Sequence, residues 1–233
     1  MTINGEFRRN HVVNWRDTLA CTFLDDDLDP EDVPPVCRKE VFDYLENMVK
    51  VRGLLAEGLS EALGLDKDFL DGIECMKSKY FLCLYYPASP EPELTFGSFR
   101  HQDATFMTAV LQDNMGGLQV LYQDNWIDVK PIQGALVINI GQLMQLITND
   151  KFKCVEHRVV SSYNGPRLSI ACFFTPSSGG QMKSYGPIKD LLFETNPQIY
   201  KEVPYADYIN FHQIKIRERI PILPFFKVRY NEP

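Results

Sequence analysis

The chain changes its hydrophobic period once, near residue 79. Before that point the pattern is mostly helical. Residues 1–24 give a weak strand signal ending in Cys21-Thr22-Phe23-Leu24, and Asp25 to Asp32 form an acidic stretch leading to Pro34 and Pro35. That stretch reads as a solvated loop before a helix. A calcium loop needs a Gly at its turn and a Glu at its end, and the spacing fails. From Val36 to Leu63 the apolar residues Val41, Leu45, Met48, Val51, Leu55, Leu59 and Ala62 step by three and four, which predicts one long amphipathic helix. Charged residues such as Glu40, Lys50, Arg52 and Glu57 mostly fall off that stripe, and Gly64 is placed to stop the helix. Lys67 to Cys75 reads as a second, short helix.

After Lys79 the period becomes that of strands. Tyr80 to Tyr86 is an aromatic and apolar run, and residues 87–92 form a Pro-rich turn. Strand-like segments follow at about 105–111, 117–123, 125–129, 134–140, 154–161 and 167–174, separated by turn signals such as Asp113-Asn114-Met115-Gly116-Gly117 and Asn164-Gly165-Pro166. Many short strands with this punctuation predict a mainly β fold, a sandwich or jelly roll, with flanking helices over one face. A helical segment is expected near 187–194, then irregular chain.

Composition narrows the class. The 233 residues carry 24 Lys+Arg against 31 Asp+Glu, a net charge of −7, which argues against a dedicated nucleic-acid binder. Hydrophobic residues make up 45%, enough for a packed core, and no apolar run reaches the ~18 residues of a membrane-spanning helix. Six cysteines without a C-x-x-C pair, no Asn-x-Ser/Thr acceptor and a polar start carrying Arg8 and Arg9 point to a reduced cytosolic protein.

Four histidines occur, at 11, 101, 157 and 212. His101-Gln102-Asp103 opens a predicted strand, where side chains two apart share a face. His157 lies in a second β segment between the apolar Val155 and Val159. A histidine on such a face is by default a packed core residue, and an H-x-D pair alone is a weak signal. The strand from Arg167 to Phe174 changes the balance, because Arg167, Ser169, Ala171 and Phe173 share one face. A guanidinium on a β interior is costly unless it meets an anion. Its fork suits a carboxylate, and Ser169 adds a hydroxyl. Read together, two His and one Asp hold a metal and Arg and Ser nearby hold a carboxylate ligand; two His plus one carboxylate with open positions is the facial triad of non-haem iron(II) oxygenases. His11 and His212 have no ligand-like neighbours. Glu156 points away by strand parity, Trp126 reads as a packing anchor, and Lys151 and Lys153 as solvated charges. Gly134 and Gly141 bracket an apolar strand without phosphate-loop spacing.

The order His101-x-Asp103, 53 intervening residues, His157 and Arg167-x-Ser169 resembles that of the plant 2-oxoglutarate-dependent dioxygenases. Tyr85-Tyr86-Pro87, Gly117-Leu118-Gln119-Val120, Asn139-Ile140-Gly141 and Thr148-Asn149-Asp150-Lys151-Phe152 agree, and the similarity runs from about 14 to 205. Trp15-Arg16-Asp17-Thr18 and Tyr185-Gly186-Pro187-Ile188-Lys189 resemble the 1-aminocyclopropane-1-carboxylate oxidase homologue group, which also contains alkaloid, benzoxazinoid and glucosinolate hydroxylases.

The resemblance implies a double-stranded β-helix over residues 79–180, an N-terminal segment 1–78 with the long helix, and a C-terminal extension 181–233 packed on the core. It implies iron(II) on His101, Asp103 and His157, and the distal carboxylate of 2-oxoglutarate on Arg167 and Ser169. Tyr86 would bond the co-substrate and Phe173 would face the substrate pocket. Ascorbate accompanies such chemistry, the partners are a small plant metabolite and O₂, and a monomer is expected. Leu84 stands where the family often has Asn. Family members extend much further at the N-terminus, so this chain reads as starting partway through that region, and the Gly-rich stretch expected near Ile214 to Pro224 is absent. Two other functions stay open: an ascorbate-using oxidase of the ethylene-forming type, and a truncated, non-catalytic ligand-binding remnant.

Overall fold

The computed structural model describes residues 14–25, 29–218 and 220–228, so the reading of His11 lies outside the described residues. The weak strand signal before residue 24 is β1 (Asp17–Phe23), and the two helices are α1 (Arg38–Ala62) and a single turn, α2 (Phe69–Gly72). Then come β2 (Ser78–Tyr86), β3 (Phe96–His101), β4 (Met107–Gln112), β5 (Leu118–Tyr122), β6 (Asn125–Asp128), β7 (Leu136–Ile140), α3 (Gln142–Ile147), β8 (His157–Val160) and β9 (Arg167–Thr175). A short ribbon of β10 (Ser184–Tyr185) and β11 (Val203–Pro204) leads into α4 (Tyr205–Glu218).

The mainly β reading holds. One sheet has the order β1-β2-β9-β4-β7 and the other β3-β8-β5-β6, with antiparallel pairing throughout. Together they form the jelly-roll core. β2 and β9, nearly continuous apolar runs, lie centrally and are buried along most of their length. The outer face of the five-stranded sheet joins the helices in the main core, where Leu45, Met48, Phe81, Met107, Phe174 and Tyr208 are buried together. Between the sheets a smaller cluster forms from Leu82, Leu84, Tyr86, Leu118, Val159 and Ala171.

Four sequence expectations need correction. The fully buried edge of α1 begins as predicted with Val41, Leu45 and Met48 and then runs through Arg52, Ala56 and Ser60, while Val51, Leu55 and Leu59 pack against the core partly buried. The α2 region supplies partners for both polar groups: Arg52 Nη1 donates to Asp71 at 2.5 Å, and the Ser60 hydroxyl accepts from the Leu70 amide at 3.1 Å. His101 ends β3 rather than opening a strand, and Asp103 lies in the loop 102–106 that crosses from one sheet to the other. The helix expected near 187–194 is only a 3-10 turn at Lys189–Leu191, and the helix of the C-terminal part is α4. α3 follows directly on the strand ending at Ile140, where no helix was expected.

Gly141 is more than a bracket to its strand. It begins α3, and a Cβ placed there would lie 1.9 Å from the Thr105 carbonyl oxygen. The close approach lets the first amides of the helix bond the crossing loop: Gly141 N to Phe106 O at 3.0 Å, Gln142 N to Asp103 O at 2.8 Å and Leu143 N to Thr105 O at 3.2 Å. Gly141→Ala is expected to cost about 1–3 kcal/mol or more through this overlap. Thermal melting checks it, and an unchanged midpoint would refute the contact.

Candidate active site

The crossing loop and the start of β8 bring three ligand-type side chains together. His101 Nε2 is 3.8 Å from Asp103 Oδ1, and His157 Nε2 is 3.6 Å from the same oxygen. One ligand atom from each residue lies within 4.8 Å of the others, the only such group of three among the described residues. Each ring is fixed from behind. His101 Nδ1 lies 2.7 Å from Phe99 O and His157 Nδ1 lies 3.2 Å from Val155 O. These carbonyls place the proton on Nδ1 and leave the Nε2 lone pairs turned toward Asp103.

Asp103 is 4% exposed, and its two oxygens have separate tasks. Oδ2 accepts from the Thr108 hydroxyl at 2.8 Å, while Oδ1 faces the imidazoles. Tyr208 of α4 donates to Ala104 O at 3.0 Å, and Gln142 Nε2 donates to Gln102 Oε1 at 2.8 Å. The loop is thus tied to β4, α3 and α4. Sequence reasoning missed Thr108, Gln142 and Tyr208. The available signal was parity for Thr108, one inward position from Val110 on β4, and none for Tyr208.

Burial, chiefly, and then the neighbouring His157 pull the His101 imidazole down to about 4, against the opposing pull of Asp103. Its ordinary value of 6.5 returns on unfolding, so the unfolded chain takes up the proton first as pH falls. The contribution of His101 to stability is present above that value and is lost as pH drops toward about 4. The metal-free protein is expected to melt lower at mildly acidic than at neutral pH, and His101→Gln to lose less over the same interval. Equal losses in melting scans would refute the assignment.

Arg167 begins β9, 6% exposed. Its Nε donates to Gly116 O at 2.8 Å, Nη1 to Ser169 Oγ at 2.8 Å and Nη2 to Gln112 Oε1 at 3.1 Å, and Tyr86 lies 5.0 Å from ring centroid to Cζ. Burial lowers its pKa, with Tyr86 and Asp113 opposing. No carboxylate is ion-paired with it among the described residues. This is a buried, oriented cation with a hydroxyl beside it, the donor set an oxygen anion needs. Gly97 lets Tyr86 sit there: a Cβ at that position would lie 2.6 Å from Tyr86 Cδ1.

The triad, Arg167, Ser169, Tyr86 and Phe173 all line one cavity of about 90 Å³ between the sheets, so every site residue named from the sequence converges on one space. Phe173 is partly exposed and packs against Tyr80 at 6.1 Å. Leu84 pairs in register with Ser169 and gives the cavity an apolar wall. Glu156 pairs with Arg100 outside it. Three residues set apart from the site take specific surroundings. Trp126 is a stacking platform for Arg158, whose Cζ lies 4.1 Å from the ring centroid. Lys153 pairs with Asp150 at 2.8 Å. His212 borders a small cavity with His101, Gln142 and Glu156, and burial lowers its pKa.

The donor set suits iron(II): two imidazoles and one carboxylate, with open positions facing a cavity. Comparison with known proteins agrees. Residues 73–176 match the 2OG-Fe(II) oxygenase superfamily. The chain is 48% identical over 196 residues to 1-aminocyclopropane-1-carboxylate oxidase homolog 12 of Arabidopsis thaliana, covering 84% of this chain and 54% of that protein. It is 49% identical over 207 residues to deacetoxyvindoline 4-hydroxylase of Catharanthus roseus, covering 87% of this chain and 51% of that protein. The crystal structure of JOX2 in complex with 2OG, Fe and JA matches with a TM-score of 0.78 and 33% identity over 85% of this chain and 60% of the other. A dioxygenase for auxin oxidation in rice shares the fold, with a TM-score of 0.75 at 23% identity over 92% of this chain and 74% of that one. The chain spans about half the length of the curated relatives it matches.

Proposed function

We propose, from the premise that this chain carries a 2OG-Fe(II) oxygenase domain, that it is an iron(II)- and 2-oxoglutarate-dependent oxygenase of a small plant metabolite. The observation that carries the reading is the convergence of the three ligand atoms and the buried Arg167 cation on one cavity. His101, Asp103 and His157 hold the iron. Arg167 and Ser169 take the distal carboxylate of 2-oxoglutarate, and Tyr86 lies against the guanidinium to shape that end. Held there, iron(II) with 2-oxoglutarate and O₂ would supply the oxidising equivalent for the substrate: one oxygen atom of O₂ goes to the succinate formed from 2-oxoglutarate with loss of CO₂, and the other to the product. Leu82, Leu84, Val110 and Phe173 give the reacting centre apolar walls.

Ascorbate keeps the iron reduced, and the chain works as a monomer in the cytosol. The six free cysteines favour a reducing compartment, and no described helix is long and apolar enough to cross a membrane. The test is a metabolite screen with Fe(II), ascorbate and 2-oxoglutarate under air. Substrate-stimulated O₂ uptake matched by succinate is expected. O₂ uptake without succinate would point to the ascorbate-using oxidase, and metal binding without any turnover to the ligand-binding remnant.

A further inference from the structure

The cavity holds a second cation besides Arg167. Arg16 sits just before β1, where Trp15 N donates to Phe96 O at 2.7 Å and Asp17 pairs in register with Tyr85. These two contacts seat it between the edges of the two sheets. Its side chain lines the cavity with His101, Asp103 and Tyr86, and its charge bears on the His101 imidazole. Among the described residues no carboxylate is ion-paired with Arg16, and no acceptor takes its N–H groups.

The position is at the open side of the site. Thr18 and Ala20 stand opposite Leu84 and Leu82, which line the cavity, so all four face the same way. Thr18 and Ala20 are exposed, so the cavity reaches solvent along β1, beside Arg16. Arg167 lies on β9 with its own hydroxyl partner and serves the co-substrate. Arg16 faces whatever enters from β1, against walls that are apolar at Leu82, Leu84, Leu118 and Phe173. A net charge of −7 repels anions at long range, so an acid entering here needs a local cation.

We propose that Arg16 binds the carboxylate of the primary substrate, so that the enzyme takes an acid with an apolar body in preference to its neutral counterpart. The guanidinium fork matches a carboxylate, and the apolar walls match the remainder of such a molecule. This inference rests on the oxygenase reading and adds the substrate class to it.

The test uses the full chain loaded with Mn(II) and 2-oxoglutarate, which binds without turning over. Calorimetric titration compares 3-phenylpropanoate, cinnamate and dodecanoate with their methyl esters. At least one acid is expected to bind roughly tenfold tighter than its ester. Arg16→Met should remove that preference, Arg16→Lys should retain part of it, and the affinity for 2-oxoglutarate should be unchanged in both. No preference for any acid over its ester, or a preference that survives in Arg16→Met, overturns the assignment. So does a loss of 2-oxoglutarate affinity in Arg16→Met, which would make Arg16 part of the co-substrate site. Failure of the unaltered chain to take up Mn(II) and 2-oxoglutarate overturns the oxygenase reading itself.

Discussion

Asp103→Ala is expected to abolish iron-dependent turnover and to weaken divalent-metal binding by more than about 100-fold. Loss of a group that merely orients a ligand typically costs about 10–100-fold, and Asp103 is the ligand set's one carboxylate. Without it, only the two imidazole ligands remain, and the set loses its one anionic donor. The fold should survive. The crossing loop keeps its backbone bonds to α3 and its tie to Tyr208, and a buried carboxylate flanked by two imidazoles is replaced by a small apolar group. Anaerobic titration with Fe(II), or with Mn(II) against a fluorescent chelator, measures the loss, and circular dichroism checks the fold. Thr108→Val is the milder companion, since it frees Oδ2 without removing the ligand. A mutant lacking Asp103 that binds metal as tightly as the parent would remove the metal centre from this interpretation.

Arg167→Met should separate the two halves of the site. Hydrogen bonds to charged groups are worth about 1.5–3 kcal/mol, so 2-oxoglutarate affinity should fall by roughly 10–150-fold, and further if the co-substrate carboxylate is left buried without a partner. Metal affinity in the absence of 2-oxoglutarate should change little, because none of the contacts of Arg167 reaches the triad: its donors go to Gly116, Ser169 and Gln112. Arg167→Lys should fall between, because a single ammonium cannot reproduce the fork. Titration of 2-oxoglutarate into Mn(II)-loaded protein reads the effect. Unchanged affinity would assign the co-substrate carboxylate elsewhere. Melting of the variant should also drop, since Gln112 Oε1 and Gly116 O lose their donor.

The strand framework was legible because its signal is local. Tyr80–Tyr86 and Arg167–Phe174 are apolar-rich runs buried along most of their length, and they became the central pair β2 and β9. The triad was legible because it recurs as a spacing in the chain. Its supporting geometry was not. His101 and Asp103 were expected side by side on one strand face. They meet instead because a strand ends and a loop turns, which no period of two encodes. β3 was hidden by Gly97 and its exposed Arg100, although Gly97 is there to admit Tyr86. α4 was hidden by its β-branched and aromatic residues, Ile209, Phe211 and Ile214, whose local preference is overridden by tertiary burial of Tyr208. The stripe of α1 drifted for a related reason. Arg52 and Ser60 are buried because α2 lies nearby with partners for them, and that neighbour is invisible in the helix's own pattern.

The loop bearing Asp103 is where the chain leaves one sheet and joins the other, fastened by an α3 amide and by a phenol from α4, more than a hundred positions downstream. A metal held there would rivet a seam rather than decorate a pocket. Occupancy would then lengthen the lifetime of the folded polypeptide, because any ligand that binds only the closed form shifts the balance against opening. Scarcity of iron would be felt as fewer surviving molecules as well as slower ones, and damage to the distant tail would register first as a leaking ion.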